Sequence, residues 1–434
     1  MTLSTLSDWL AYLEQLHPSA IDMGLDRSRQ VAQQLGLTRP ARRVITVTGT
    51  NGKGSTCAFV AALLQSQGLK VGVYSSPHLL NYNERVKVQG VEATDLQLCD
   101  AFAAVESARG DTTLTYFEMG TLAAFWLFEQ AQLDAVVLEV GLGGRLDAVN
   151  LIDADFALVT SIGLDHADWL GDTRESVAFE KAGIFRAGRP ALCGDLDPPE
   201  PLLAKAQELG SPLLLRGRDF DFSVGQQAWD WRGTAHGEVI ELRGLPLLDL
   251  PMENAALALQ AFALLGYPMQ PEVISHALAQ TRLTGRLDRR IVNWHGKRLN
   301  LLLDVGHNPH AAQFLARRMA QRPVAGKRLA VFGLLSDKDL DGVVRELVSS
   351  IQDWAVAPLP TSRSRPATEL HSVLQNLGAN VKSYQSIALA LEAQCAHAMP
   401  DDEILLFGSF YCVAEALEWL ARSTREDAAN GFAG

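Results

Sequence analysis

Lysine is scarce in this chain, nine residues against 29 arginines in 434. Each retained lysine is therefore slightly more readily read as a position that needs an amine. Positive charge as a whole is in the minority: 38 Lys and Arg face 50 Asp and Glu, a formal net charge of −12. That excludes a sequence-independent nucleic-acid binder, which needs a basic footprint. It does not exclude an anionic small-molecule substrate, because the charge of a pocket need not follow the net charge. Cysteine is sparse too. Cys57, Cys99, Cys193, Cys395 and Cys412 are odd in number, scattered and without C-x-x-C spacing. They predict reduced, packed thiols rather than a disulfide frame or a zinc site. No apolar run reaches the ~18 residues of a membrane span. The first segment lacks a basic stretch and carries Asp8 and Glu14, which reads as an amphipathic helix and not a signal peptide. A cytoplasmic protein with no membrane partner is expected.

What is present is the composition of an ordinary globular protein, 47% hydrophobic and 20% charged. Length alone suggests roughly three domains at ~150 residues each, but the patterns sort into two. RVITVTG (43–49) is a short β-branched run ending in Gly, TCAFVAALLQSQG (56–68) has helical composition, and KVGVYSS (70–76) is a second strand. Strand, Gly-rich turn, helix and strand make a βαβ unit and hence a parallel sheet. The alternation continues with a helix at 117–132, strands at 134–141 and 156–163, a helix at 175–185 and a strand at 189–195. Residues 196–250 begin Pro-rich and then alternate aromatic and polar residues, predicting a small antiparallel insertion. Helical patterns return at 252–266 and 271–281. Near Leu287–Asn300 a hairpin opens a second α/β unit, whose helices and strands alternate as far as DEILLFGS. The polar tail STREDAANGFAG is expected to fray. The expected architecture is α/β: an N-terminal P-loop-containing parallel-sheet ATPase domain over 1–288 and a smaller C-terminal Rossmann-like α/β domain over 296–434.

Between the first strand and the first helix lies Thr48-Gly49-Thr50-Asn51-Gly52-Lys53-Gly54-Ser55. Its glycines let backbone N–H groups wrap phosphate oxygens, and the helix N-terminus adds a favourable dipole. Lys53 supplies a charge for the β- and γ-phosphates. The spacing departs from G-x-x-x-x-G-K-[ST]. The plain alternative is a Gly-rich βα turn. Glu139 is the acidic residue inside the otherwise apolar strand DAVVLEVG; at the C-terminal end of a parallel strand it would face the ligand crevice, on Mg²⁺ or nucleotide, or else pair with an arginine. His166 follows the next strand, where its chemistry fits a ligand, an orienting group or an ordinary polar residue equally. Lys181, in FEKAGIF, reads on chemistry alone as a surface helix lysine near Glu180.

TGTNGKGS, YSSPHL followed by NER, TYFE, EVGLGGRLDAVN, IGLDHADWLG, FEKAGIFR, GRLD and DVGHNPHA occur in that order. They resemble the folylpolyglutamate synthase / dihydrofolate synthase family, a branch of the Mur-ligase superfamily, from Ile21 to Phe410. The resemblance implies an ATP-dependent amide ligase. ATP converts a carboxylate into an acyl phosphate, which the amine of L-glutamate attacks; the acceptors are dihydropteroate and reduced folates. It also implies the following roles. The loop Gly49, Thr50, Asn51, Gly52, Lys53, Gly54 and Ser55 holds the ATP phosphates, with Asn254, Arg286 and Asp304 also on the nucleotide. Ser76, Glu139 and His166 hold Mg²⁺, and Lys181, as a carbamate, serves a second metal site. Asp304, His307 and Ser409 face ATP and the incoming glutamate. Ile21, Asp22, Met23, Gly24 and Leu25, the Ser76–Arg85 loop, Thr115, Tyr116, Phe117 and Arg145 contact the folate. Tyr116 and Phe117 suit pterin stacking and core packing alike. Arg286, just before the domain break, is placed to couple nucleotide binding to closure. The family is typically monomeric.

Two narrower readings compete. One is folylpolyglutamate synthesis alone. The other is a cell-wall Mur-type ligase, disfavoured because only 48 residues precede Gly49, too few for a UDP-sugar domain. A non-catalytic nucleotide-binding regulator is disfavoured by the joint presence of Glu139, His166, Lys181 and Asp304. ATP, folate and glutamate are all anions, so within an acidic chain the favourable charge must be local, at Lys53, Arg145, Arg286, His307 and bound Mg²⁺.

Overall fold

The computed structural model describes residues 3–431, with side chains described through Ser423. The chain divides into two compact units, Met1–Thr281 and Arg282–Gly434.

In the first unit the β-branched run before Gly49 is β1 (Ala41–Thr48), the centre of an eight-stranded sheet. The other strands are β2 (Val71–Tyr74), β3 (Val86–Val88), β4 (Val91–Glu92), β5 (Leu133–Glu139), β6 (Phe156–Val159), β7 (Ala191–Cys193) and β8 (Leu213–Leu215). Their order is β4-β3-β2-β5-β1-β6-β7-β8. The six strands from β2 to β8 pair in parallel, and β3 and β4 add an antiparallel edge. Helices cover the sheet, so β5 is buried along nearly its whole length and reads as a continuous apolar run. The chain leaves β1 toward β2 and later returns to β6 on the other side, so the C-terminal ends of β5, β1 and β6 adjoin at a switch in strand order. Open α/β sheets keep their ligands at such a place.

The aromatic–polar alternation after residue 220 becomes a three-stranded antiparallel sheet, β9 (Asp221–Val224), β10 (Ala228–Ala235) and β11 (Glu238–Pro246). Trp229 and Trp231 are buried on one face of β10. Their indole N–H groups donate to Pro246 O (2.9 Å) and Ala256 O (3.1 Å), the latter on the helix Met252–Leu264. Two elements escape the sequence pattern here. A helix, Glu200–Glu208, follows Pro199, and β8 then extends the parallel sheet. The prolines that suggested a loop sit at the start of that helix, where a missing N–H costs nothing.

The second unit carries β12 (Asp288–Trp294), β13 (Lys297–Asp304), β14 (Arg328–Phe332), β15 (Asp353–Val356), β16 (Val381–Ser383) and β17 (Glu403–Phe407). They are ordered β12-β13-β17-β14-β15-β16. Only the β12–β13 hairpin is antiparallel. The three-residue β16 lies between two helices and is too short to show a period. The tail expected to fray continues the last helix, Phe410–Gly431; residues 432–434 lie outside the described part.

Buried Glu403 at the start of β17 ties this sheet together. It accepts from Arg328 Nε at 3.0 Å and pairs with Arg289 from β12. Removing one partner of a buried pair strands the charges left behind. Glu403→Ala is therefore expected to cost about 3 kcal/mol or more of stability, read as a shift in a urea unfolding midpoint. An unchanged midpoint would contradict the assignment.

Candidate active site

The phosphate-loop sequence is held by the end of the neighbouring strand. Thr50 N donates to Ser161 O (2.9 Å) and Thr50 Oγ1 to Gly163 O (2.8 Å). Asn51 N donates to Ser161 Oγ (3.1 Å), and Thr160 Oγ1 donates to Asn51 O (2.5 Å). The loop can pass this close only because Gly49 has no side chain: a Cβ there would lie 1.8 Å from Thr160 Oγ1. Gly52 caps the helix Lys53–Gln65 at φ +86°, and a Cβ on it would stand 2.6–2.9 Å from the Asn254 side chain. Asn254 itself donates from Nδ2 to Ser55 Oγ at 2.7 Å. Lys53 Nζ donates to Gly49 O (2.9 Å) and Thr50 O (3.3 Å), so its charge rests over the loop. Backbone turned by glycines at a helix start, with an ammonium above it, has the form of an anion cradle. Gly52→Ala is expected to weaken nucleotide binding at least about tenfold, through strained backbone and a displaced Asn254. A nucleotide titration with unchanged affinity would contradict the cradle.

Glu139 closes β5 and is buried. Ser76, just past β2, donates its backbone N–H to Glu139 Oε2 at 3.3 Å. A hydroxyl and a carboxylate at adjoining strand ends suit Mg²⁺, which takes one or two carboxylates with phosphate oxygens and water. His166 stands exposed on the loop after β6, at φ +53°. Among the described residues no three His, Cys, Asp or Glu side chains gather as a metal cluster. Any ion held here therefore draws on hydroxyl, phosphate or modified-lysine oxygens as well.

Lys181 is where chemistry alone misread the sequence. It is buried, not a surface lysine, and shares the inner face of the helix Arg174–Ala182 with Val177, Ala178 and Ala182. Burial, reinforced by the nearby charge of Lys53 and opposed by Asp165, lowers its amine to about 7. Among the described residues no carboxylate forms an ion pair with it. Asp147, which the sequence reading did not single out, is equally buried. Desolvation raises its carboxyl to about 6, against hydrogen bonds from Leu142 N (2.8 Å) and Val149 N (2.9 Å) and the charge of Lys53. Asn150 Nδ2 donates to Arg145 O (3.0 Å) and Gly183 O (3.1 Å). Much of EVGLGGRLDAVN is thus a braced loop packed on the lysine-bearing helix.

Ile21 and Asp22 are exposed, and Met23 and Gly24 half-buried. Asp22 is gripped by neighbours the sequence reading missed. Arg27 Nη1 donates to its Oδ2 (2.8 Å), Arg27 Nη2 to its carbonyl (2.9 Å), and His17 Nε2 lies 3.1 Å from Oδ2. Arg27 also reaches buried Glu118, which accepts the Thr115 N–H at 2.8 Å. The segments 21–24 and 115–117 are therefore cross-braced. Tyr116 and Phe117 are half-buried, at the first turn of the helix Tyr116–Gln130. Arg145 is exposed, paired with Glu180 at 2.8 Å and lying 5.3 Å from the centre of the Phe179 ring.

In the second unit Asp304 ends β13. It accepts from Leu287 N (2.9 Å) and Gly306 N (2.8 Å). Desolvation raises its carboxyl, opposed first by the charge of Arg286. His307 Nδ1 donates to Val305 O at 2.9 Å, which leaves Nε2 as the other face of the ring. Ser409 follows β17, buried, and Arg286 lies 5.0 Å from the centre of the Phe410 ring. Arg286, Asp304, His307 and Ser409 thus all lie at or beside the C-terminal ends of β13 and β17. Phe410 carried no sequence signal beyond its place after Ser409.

The Mur ligase middle domain matches residues 47–193, and the Mur ligase glutamate ligase domain matches residues 285–410. A dihydrofolate synthase/folylpolyglutamate synthase of Escherichia coli is 49% identical over 96% of this chain and 95% of its own. The solved E. coli FolC in complex with DHPP and ADP superposes with a TM-score of 0.89 at 48% identity, covering 96% of this chain and 97% of that one. A bifunctional folylpolyglutamate synthase/dihydrofolate synthase with Mn, AMPPNP and L-glutamate bound gives 0.88 at 44%, covering 96% and 98%.

Proposed function

The chain belongs to the dihydrofolate synthase/folylpolyglutamate synthase family of ATP-dependent Mur ligases, and from that we propose that it joins L-glutamate in amide linkage to dihydropteroate and to the γ-carboxyl of reduced folates. The observation that carries the reading is the anion cradle of Gly49–Ser55, with Lys53 in electrostatic reach of buried Lys181. A carboxylate is a poor electrophile. Transfer of the γ-phosphoryl group of ATP to its oxygen releases ADP and creates a good leaving group. The amine of glutamate then attacks the acyl carbon, loses a proton and expels phosphate. The difficulty is crowded negative charge, which Lys53 and the loop N–H groups offset.

Ser76, Glu139 and His166 are the residues that would hold Mg²⁺, and carbamylated Lys181 those of a second site. The ion supplies charge neutralisation of phosphate oxygens when bound. The carbamate reading rests on burial: among the described residues an ammonium there has no ion-pair partner, only the more distant charge of Asp165, whereas a neutral amine that adds CO₂ and sheds a proton becomes an oxygen ligand. Asn254 is assigned to the nucleotide beside Ser55. Ile21, Asp22, Met23, Gly24, Thr115, Tyr116, Phe117 and Arg145 are assigned to the acceptor. In the second unit Arg286 and Asp304 are assigned to the nucleotide, and His307 and Ser409 to glutamate. No helix is long and apolar enough to cross a membrane, and we place the chain in the cytoplasm as a monomer.

The test is ADP release with L-glutamate and either dihydropteroate or tetrahydrofolate. Release with both is expected. Release with tetrahydrofolate alone would reduce the activity to chain extension, and release with neither would overturn the proposal.

A further inference from the structure

Arg174 has no task in the reaction as assigned so far, yet it holds the strand end on which the phosphate loop leans. It is the first residue of the helix Arg174–Ala182, whose start is capped by Thr173 Oγ1 accepting the Ser176 N–H at 3.2 Å. Its side chain reaches the segments that follow β6 and β7. Nε donates to Ile162 O (3.0 Å), Nη2 to Asp195 Oδ1 (3.1 Å) and Asp197 O (2.8 Å), and Nη1 to Asp197 Oδ2 (3.2 Å). Asp195 completes the clamp. Its Oδ2 accepts the Ile162 N–H at 2.8 Å and its Oδ1 the Asp197 N–H at 3.0 Å. Both backbone polar groups of buried Ile162 are thus held by side chains, the N–H by the carboxylate and the carbonyl by the guanidinium.

Ile162 lies between the two residues that support the phosphate loop. Ser161 accepts from Thr50 N and Asn51 N. Gly163 exchanges two hydrogen bonds with Thr50, accepting from Oγ1 at 2.8 Å and donating its N–H to the same oxygen at 3.0 Å. A peptide displaced at Ile162 moves both supports, and a misplacement of about 1 Å at a reacting centre can cost about a hundredfold. Stability does not account for the clamp. The Arg174 side chain is 37% exposed and that of Asp197 94%, and ion pairs this open to water add little to folding. What a planar fork does well is fix geometry, here of three residues at once. Arg174 also stands two helical turns before Lys181, so the two share one face of their helix.

We propose that Arg174, with Asp195, is a positioning residue for the nucleotide: it locks the segment Ser161–Gly163 that supports the phosphate loop and ties it to the helix that carries Lys181. It acts through Ile162 and not on the phosphates. Of the function proposed above, only the nucleotide half is needed for this role.

The experiment measures equilibrium binding of ADP to the unmodified protein, to Arg174→Gln, Arg174→Lys and Asp195→Asn, and to the double variant Arg174→Gln/Asp195→Asn. A urea unfolding curve is recorded for each, and KM is determined for ATP and for dihydropteroate, each with the other substrates saturating. Asp195→Asn keeps an acceptor for the Ile162 N–H but loses the charge that pairs with Arg174. Arg174→Gln is expected to weaken ADP binding and raise KM for ATP about ten- to a hundredfold, with KM for dihydropteroate within about twofold and the urea midpoint nearly unchanged. Asp195→Asn should shift the same quantities in the same direction. The double variant should be no worse than the worse single one, because both substitutions open one clamp. Arg174→Lys should recover only part of the affinity, since one ammonium cannot hold Ile162, Asp195 and Asp197 together. Unchanged ADP affinity in Arg174→Gln overturns the assignment. So does full affinity in Arg174→Lys, or a loss that falls equally on dihydropteroate. If the unmodified protein does not bind ADP, the nucleotide reading itself fails, and this role with it.

Discussion

Lys53→Ala is expected to yield folded protein with no measurable ADP release. The side chain is half-buried at the first position of the helix that follows the cradle, and its ammonium donates to the carbonyls of Gly49 and Thr50. Those carbonyls hold the charge over the loop at little cost to the fold, so alanine removes the charge and leaves the helix and its buried face in place. Removing one preorganised charge partner of a developing oxyanion costs about a hundred- to a thousandfold in rate. Here the γ-phosphate loses its principal cation, and a loss at or beyond the upper figure is expected. Lys53→Arg should recover little, since a planar fork does not reproduce a compact ammonium. Circular dichroism checks the fold and coupled ADP detection the rate. Turnover like that of the unmodified protein would remove the loop from the chemistry.

Lys181→Ala is expected to be inactive and partly rescued by bicarbonate, formate or acetate. The amine is buried, it makes no ion pair among the described residues, and it is lowered to about 7 mainly by burial. At neutral pH much of it is the free base, the form that adds CO₂. A small carboxylate admitted into the space left by the side chain would replace the carbamate oxygens. Lys181→Met, filling that space, should be equally inactive but not rescued. The sign of the stability effect follows from the lowered amine. Between about pH 7 and the ordinary lysine value the unfolded chain holds a proton that the folded chain has shed. Stability of CO₂-depleted protein therefore rises with pH across that window. Lys181→Met should lose this slope and melt about 2–5 °C higher at pH 7. Full activity in Lys181→Ala would eliminate the carbamate.

These two lysines mark how far the sequence can be read. Lys53 was legible because strand, glycines, lysine and hydroxyl coincide within eight residues. Glu139 was legible because one acid interrupts an apolar strand. Lys181 was not read from chemistry, although a signal was present: it stands four residues after Val177, on the face where that valine and Ala182 turn inward. A nine-residue helix offers too few turns for that period to stand out. Asp147 and the grip of Arg27 and His17 on Asp22 come from loops, whose geometry has no period. In the fold, the parallel sheets followed from their apolar runs. Glu200–Glu208 and β8 did not, because prolines at a helix start look in sequence like prolines in a loop.

The central claim is that a carboxylate of the acceptor is activated by the γ-phosphate of ATP. It is tested most directly with dihydropteroate carrying ¹⁸O in its carboxylate, turned over with ATP and L-glutamate. The account predicts one ¹⁸O in each inorganic phosphate released and ADP as the nucleotide product. Unlabelled phosphate, or label carried into AMP, would contradict it.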